Sequence, residues 1–144
     1  MATTYRICPR SGLQFDTAAE KLMRFHAGAG VLAVVTFEVV GPGHGIDMLI
    51  FWIIFFEMAV LYFASSTLLR CRLAMPKLAW VASILMVIGA IMTNVAIFQG
   101  ESSVMFTSYV PMQAKPHFYL GLILFAVGAL LICFIFLGTL VVAK

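Results

Sequence analysis

Chemistry in this chain would have to rest on imidazole and carboxylate groups set into apolar sequence. Three histidines (His26, His44 and His117) and three acids (Glu38, Asp47 and Glu57) fall in or beside long apolar runs, where an ionisable group is costly and commonly functional. His44 stands between Gly43 and Gly45 in "GPGHG", residues 41 to 45. Small neighbours would let a flat macrocycle approach the backbone closely enough for the imidazole to reach iron. The same histidine would serve as well capping a Gly/Pro turn at the headgroup level, and spacing alone leaves both open. Asp47 follows three positions later, on roughly the same helix face, where it could hydrogen-bond the His44 ring.

The other candidates are weaker. His26 and His44 are eighteen residues apart, roughly 27 Å along a helix, too far to share one metal. His44 and His117 fall at the same membrane side in the layout below, so a self-contained bis-histidine site is geometrically open, although His117 after Pro116 also reads as an interfacial residue. His26 reads as a packed or snorkelling side chain. Glu38 and Glu57 read first as protonated acids hydrogen-bonded between helices, with a proton relay or a cation from a partner helix as the alternative. Cys8, Cys71 and Cys133 are widely scattered with no paired spacing, so they are read as structural rather than as a disulfide framework or zinc site. There is no nucleophile motif, phosphate loop, metal-ligand cluster or nucleic-acid patch.

The elements that must position these groups are set by hydropathy. Of 144 residues, 63% are hydrophobic and 10% charged, with a mean hydropathy of +1.08, too apolar to assemble a water-facing shell. The chain is therefore an integral membrane protein. The expected fold is all-α: one domain, residues 1–144, forming a four-helix transmembrane bundle with spans near 22–40, 45–69, 78–99 and 117–143. Pro76 should open the third span and Gly100 close it. The phenylalanines and methionines of the second span are expected to pack against neighbouring helices, and glycines 28, 30, 89, 121 and 128 offer small faces for close helix contact. Arg6, Arg10, Lys21 and Arg24 precede the first span, Arg70, Arg72 and Lys77 separate the second and third, and Lys144 ends the fourth. Only Lys115 falls on the other side, so the positive-inside rule predicts both termini in the cytoplasm and the 41–45 and 100–116 turns outside. The N-terminal stretch lacks a signal peptide's layout and is expected to stay attached.

From His44 onward the chain resembles the front part of subunit I of the haem-copper oxidases, especially the B-type branch. "HG" (His44, Gly45) opening an apolar helix is similar to the family's helix II, "PKLAW" (76–80) leads into a third span at helix III spacing, and "MFTSYVPMQAKPHFYLG" (105–121) resembles the outer segment joining helices III and IV. The resemblance covers about residues 44 to 140, and Tyr109, Pro111 and Phe118 to Gly121 are its most specific part. Val110 and Met112 depart from the family pattern, His117 matches no family ligand, and the connection before His44 is shorter than usual.

The resemblance implies that His44 is an axial ligand of a low-spin haem, of a or b type, with Asp47 beside it and Tyr109, Phe118 and Tyr119 capping the haem edge. It further implies a split subunit I, or a truncated relative that retained only the low-spin side, with the second axial ligand and the copper in partner chains: a separately encoded remainder of subunit I, and a subunit II-like copper or cytochrome subunit. The expected role is electron transfer towards oxygen in a prokaryotic cytoplasmic membrane, surrounded by lipid and without nucleic acid. Two alternatives stay open: a small b-type cytochrome with its haem between His44 and His117, and a non-catalytic assembly or stabilising subunit.

Overall fold

The computed structural model describes residues 17–37, 45–68, 72–102 and 113–143. His44 with the rest of the 41–44 turn, Glu38, Tyr109, Cys8 and Cys71 lie outside the described residues. Within them the chain is helical: α1 (Thr17–Phe37), a π-helical turn (Asp47–Trp52) continuing as α2 (Ile53–Thr67), α3 (Pro76–Phe98) and α4 (Pro116–Ala143). Among the described residues there is no strand, only an isolated antiparallel bridge between Ser102 and Ala114.

Local chemistry sets the helix ends. Pro76 and Pro116 occupy first positions, where a missing N–H costs nothing and the fixed φ suits a helix. At the other end of α3, Gly100 takes a left-handed φ of 70°. Its N–H reaches Ile97 O at 3.0 Å and the Glu101 N–H reaches Ala96 O at 3.0 Å, so two orphan carbonyls are satisfied in a Schellman motif. The expected start and stop of this span are both observed. α1 begins earlier than the apolar pattern suggests, at Thr17, because alanine, glutamate and lysine favour helix whatever their hydropathy. An exposed Arg24–Glu20 pair one turn apart (2.6 Å) supports that first stretch.

Three helices are long and apolar enough to cross a membrane, over Asp47–Ser65, Pro76–Phe98 and Pro116–Val142. α1, with Glu20, Lys21 and Arg24 in its first turns, is not one of them.

α3 and α4 pack most extensively. On α4 the buried positions run Phe118, Gly121, Phe125, Gly128, Ile132, Ile135, Thr139, alternating steps of three and four. That is the seam of a left-handed helix pair. On α3 it meets Ala79, Ala82, Met86, Gly89 and Thr93, all buried. A Cβ on Gly89 would lie 2.5 Å from Gly121 O, and one on Gly128 would lie 2.7 Å from Ala82 O. Lipid tails are as apolar as leucine, so burying hydrocarbon does not drive such helices together. Close backbone approach and the dispersion contacts it permits do so instead. Thr139 fastens the far end, its Oγ1 accepting the Ala74 N–H at 3.2 Å across the turn before α3.

α1 packs on α2 through larger groups. His26 meets Phe55 and Tyr62 with ring centroids 5.8 and 5.3 Å away, and Gly30 lies beside Trp52 and Phe55. Phe51 and Phe55 both stack edge-on against Phe125 of α4. The two helix pairs are thus joined through one aromatic cluster.

Candidate functional site

The bundle has one end at which the chemistry-bearing sequence gathers, and a single side-chain bond defines it. Asn94, near the end of α3, donates from Nδ2 to Asp47 Oδ1 at 2.9 Å and to its own Ala90 O at 3.0 Å. Both residues are buried, Asp47 at 1% exposure. The bond sets the start of the α2 segment level with the last turns of α3. The Ser102–Ala114 bridge and the Lys115 N–H to Glu101 O bond (3.2 Å) then bring the first turn of α4 to the same end. His44 itself is outside the described residues, but it directly precedes Gly45, the first helical residue of this segment.

Asp47 opens a π-helical turn. Such wide turns recur at functional positions. Ile46, Asp47, Phe51 and Phe55 are the fully buried residues of this stretch and turn one face of it into the bundle. Asp47 was expected to orient His44; its observed described partner is Asn94, which sequence reasoning did not single out. The available signal was a lone amide in an otherwise apolar span.

His117 was a candidate second ligand. Its Nε2 lies 2.9 Å from Glu101 Oε2, and Lys115 pairs with the other oxygen of the same carboxylate. The Lys115 ammonium, hydrogen-bonded to Glu101, holds that carboxyl below the usual glutamate range, and the nearby charges of Lys115 and His117 act in the same direction. His117 thus belongs to a polar clasp across the loop between α3 and α4.

The aromatic pair Phe118 and Tyr119 divides between two faces. Phe118 is fully buried and Tyr119 exposed, their rings perpendicular with centroids 5.4 Å apart. Tyr119 lines an open, largely apolar groove of about 700 Å³ together with Ala114, Pro116, His117, Leu120 and Ile123.

The remaining candidates lie elsewhere. His26 is fully buried, and because a carbonyl can only accept, its Nδ1 donates to Leu22 O (2.9 Å). That leaves Nε2 as an acceptor, with no partner among the described residues. Glu57 is not hydrogen-bonded between these helices as expected; it faces outward from α2. The buried stripe of α2 runs through Phe55, Met58, Ala59 and Tyr62, and position 57 falls on the opposite side. Cys133 is a half-buried free thiol. Among the described residues no three His, Cys, Asp or Glu side chains gather as a multi-residue metal site would need.

A bundle of long apolar helices, with polar groups bonded across helices at one end, is a multi-pass membrane protein. The family model described as cytochrome c and quinol oxidase polypeptide I matches residues 13–144, and the chain belongs to that family. Membership gives it a haem-copper oxidase subunit I-like role. No curated protein and no solved structure matches it.

Proposed function

We propose that this chain forms the low-spin haem side of a respiratory terminal oxidase, with His44 as one axial ligand and the other supplied from outside these residues. The observation that carries the reading is the Asp47–Asn94 bond. It fixes the residue three positions after His44 against α3, at the end of the bundle where Tyr119 presents an outward ring over an apolar groove. An imidazole ligand needs a rigid base, since ligand geometry tunes iron, and a buried interhelical bond one turn away provides one. The donor set also fits. His44 directly precedes Gly45, the first described helical residue, and would supply one imidazole, while the histidine described at that end, His117, is engaged by Glu101.

When bound, the haem would carry single electrons towards an oxygen-reducing centre outside these residues. This chain's part is to hold, orient and keep dry. Asp47 and Asn94 anchor the ligand-bearing turn, and Phe51, Phe55 and Phe125 fill the interior behind it. Tyr119, braced from inside by Phe118, would shield the haem edge from water, with Tyr109 proposed for the same role. In the proposed layout the eight basic residues share one side, which puts both termini in the cytoplasm, makes the 22–40 stretch the fourth crossing despite the charges of α1, and turns His44 outward in a prokaryotic cell membrane.

The test is a reduced-minus-oxidised spectrum of the complex purified from native membranes. His44→Ala is expected to abolish the low-spin haem band while His117→Ala keeps it. Loss in both variants would establish a haem between the two histidines, and loss in neither an assembly role without haem ligation.

A further inference from the structure

Two carboxyl groups lie within the described parts of the three long apolar helices, Asp47 and Glu57. Asp47 is bonded to Asn94 inside the bundle. Glu57 is exposed and makes no hydrogen bond or ion pair with any described residue. It lies ten residues after Asp47 and eight before Ser65, roughly 15 and 12 Å from the two ends of that apolar stretch. A glutamate side chain is far too short to reach either interface from there, and an acid at bilayer centre that faces hydrocarbon is strongly disfavoured.

The other outward faces read differently. α3 presents Val81, Ile84, Ile88, Ile91 and Val95, and α4 presents Ile123, Val127, Leu130, Phe134, Leu137 and Val141. Both are uniformly apolar, as a lipid-facing surface should be. The α2 face differs from them by one acid at its middle, flanked by exposed Phe56, Val60 and Phe63.

We infer that the Glu57 face of α2 docks against a transmembrane helix from outside these residues that carries a basic side chain at bilayer depth. Charge complementarity selects this occupant: an acid buried by docking needs a cation or a hydrogen-bond donor, and a basic side chain supplies both. A second copy of the same face would set two Glu57 carboxyls together and be repelled. The inference does not depend on His44 binding haem, because it concerns a different face and needs only the membrane setting.

A photo-crosslinking residue placed at Val60 in the complex from native membranes tests it, with the same probe at Leu130 as the lipid control. The expected adduct at Val60 is one peptide from outside these residues with Lys, Arg or His within a helical turn of the linked position, while Leu130 yields lipid. Glu57→Gln and Glu57→Leu are each expected to lower the Val60 adduct about tenfold, the loss of roughly one ion-pair's worth of affinity. Lipid adducts alone at Val60, a link to a second copy of this chain, or an undiminished yield in Glu57→Gln would each overturn it. The haem band of the same preparations reports separately on the function proposed above.

Discussion

The α3–α4 pair and the α1–α2 pair solve the same packing problem with opposite materials. α3 and α4 meet through Gly89, Gly121 and Gly128, so closely that a single added carbon would strike backbone. α1 and α2 meet through rings, His26 against Phe55 and Tyr62, and the α2 segment is tied to α3 by the Asp47–Asn94 bond. The contrast separates two duties. A glycine seam gives a rigid wall with no chemistry in it; the ring-filled interface and the wide turn beside it hold the polar groups, at the cost of looser contact. The ring-filled pair carries His26, Tyr62 and Asp47, and the last of these is steadied by Asn94 of the tighter pair.

The sharpest way to break the contrast is to add a methyl group on each side. Gly89→Ala should destabilise the bundle by about 3 kcal/mol, the upper part of the usual overpacking range, because the obstructing atoms are main chain. Gly30→Ala should instead be neutral or stabilise by about 0.5 kcal/mol, since its new carbon would rest 3.5 Å from Phe55 and Trp52 and gain helix propensity. Reversible unfolding in detergent, read by circular dichroism, measures both. Equal effects would mean that the two interfaces do not differ in tightness.

A second, smaller effect sharpens the role of the tie between them. Asn94→Leu removes the donor to Asp47 and should cost about 1 to 2 kcal/mol, whereas adding Asp47→Leu to it should recover much of the loss, because the buried acid that lost this donor is then gone. A double-mutant cycle on the same unfolding signal gives the coupling. Additive single losses would show that the two side chains do not work as a unit.

The smallest effect belongs to the clasp at Glu101. A carboxyl whose folded pKa is lowered adds stability that is fully present above its unfolded pKa and disappears as pH falls through the lower, folded value. Loop closure should therefore persist on acidification through the ordinary glutamate range, about pH 4.3, and weaken only below it. Glu101→Gln should remove that acid-dependent step while leaving the neutral-pH unfolding midpoint nearly unchanged. Proteolysis of the 103–112 segment across a pH series reads both outcomes.

Much of the scaffold could be read from local signals, because those signals act locally. Pro76, Gly100 and Pro116 each specify a helix end through their own backbone chemistry, and unbroken hydropathy marks the three long helices. α1 starts at Thr17, ahead of the apolar run expected to cross the membrane from about residue 22, since its first turn is stabilised by propensity and the Glu20–Arg24 pair rather than by apolar surface. The site was harder. Asp47 was recognisable as a buried acid, but its partner lies 47 residues away, and only the register between α2 and α3 reveals it. The side to which Glu57 turns was hidden for a related reason: hydropathy gives depth along a helix and says little about azimuth when nearly every residue is apolar.

The wide turn at Asp47–Trp52 bears on that azimuth. One surplus residue in a single coil rotates everything upstream of it by about 100° relative to a regular α-helix. The direction in which Ile46 projects is therefore decoupled from the stripe that seats the rest of the crossing. Excising one residue between 47 and 52 should swing the segment before the turn, and the Asp47 carboxyl with it, away from Asn94 while Met58 and Tyr62 keep their seats in the bundle.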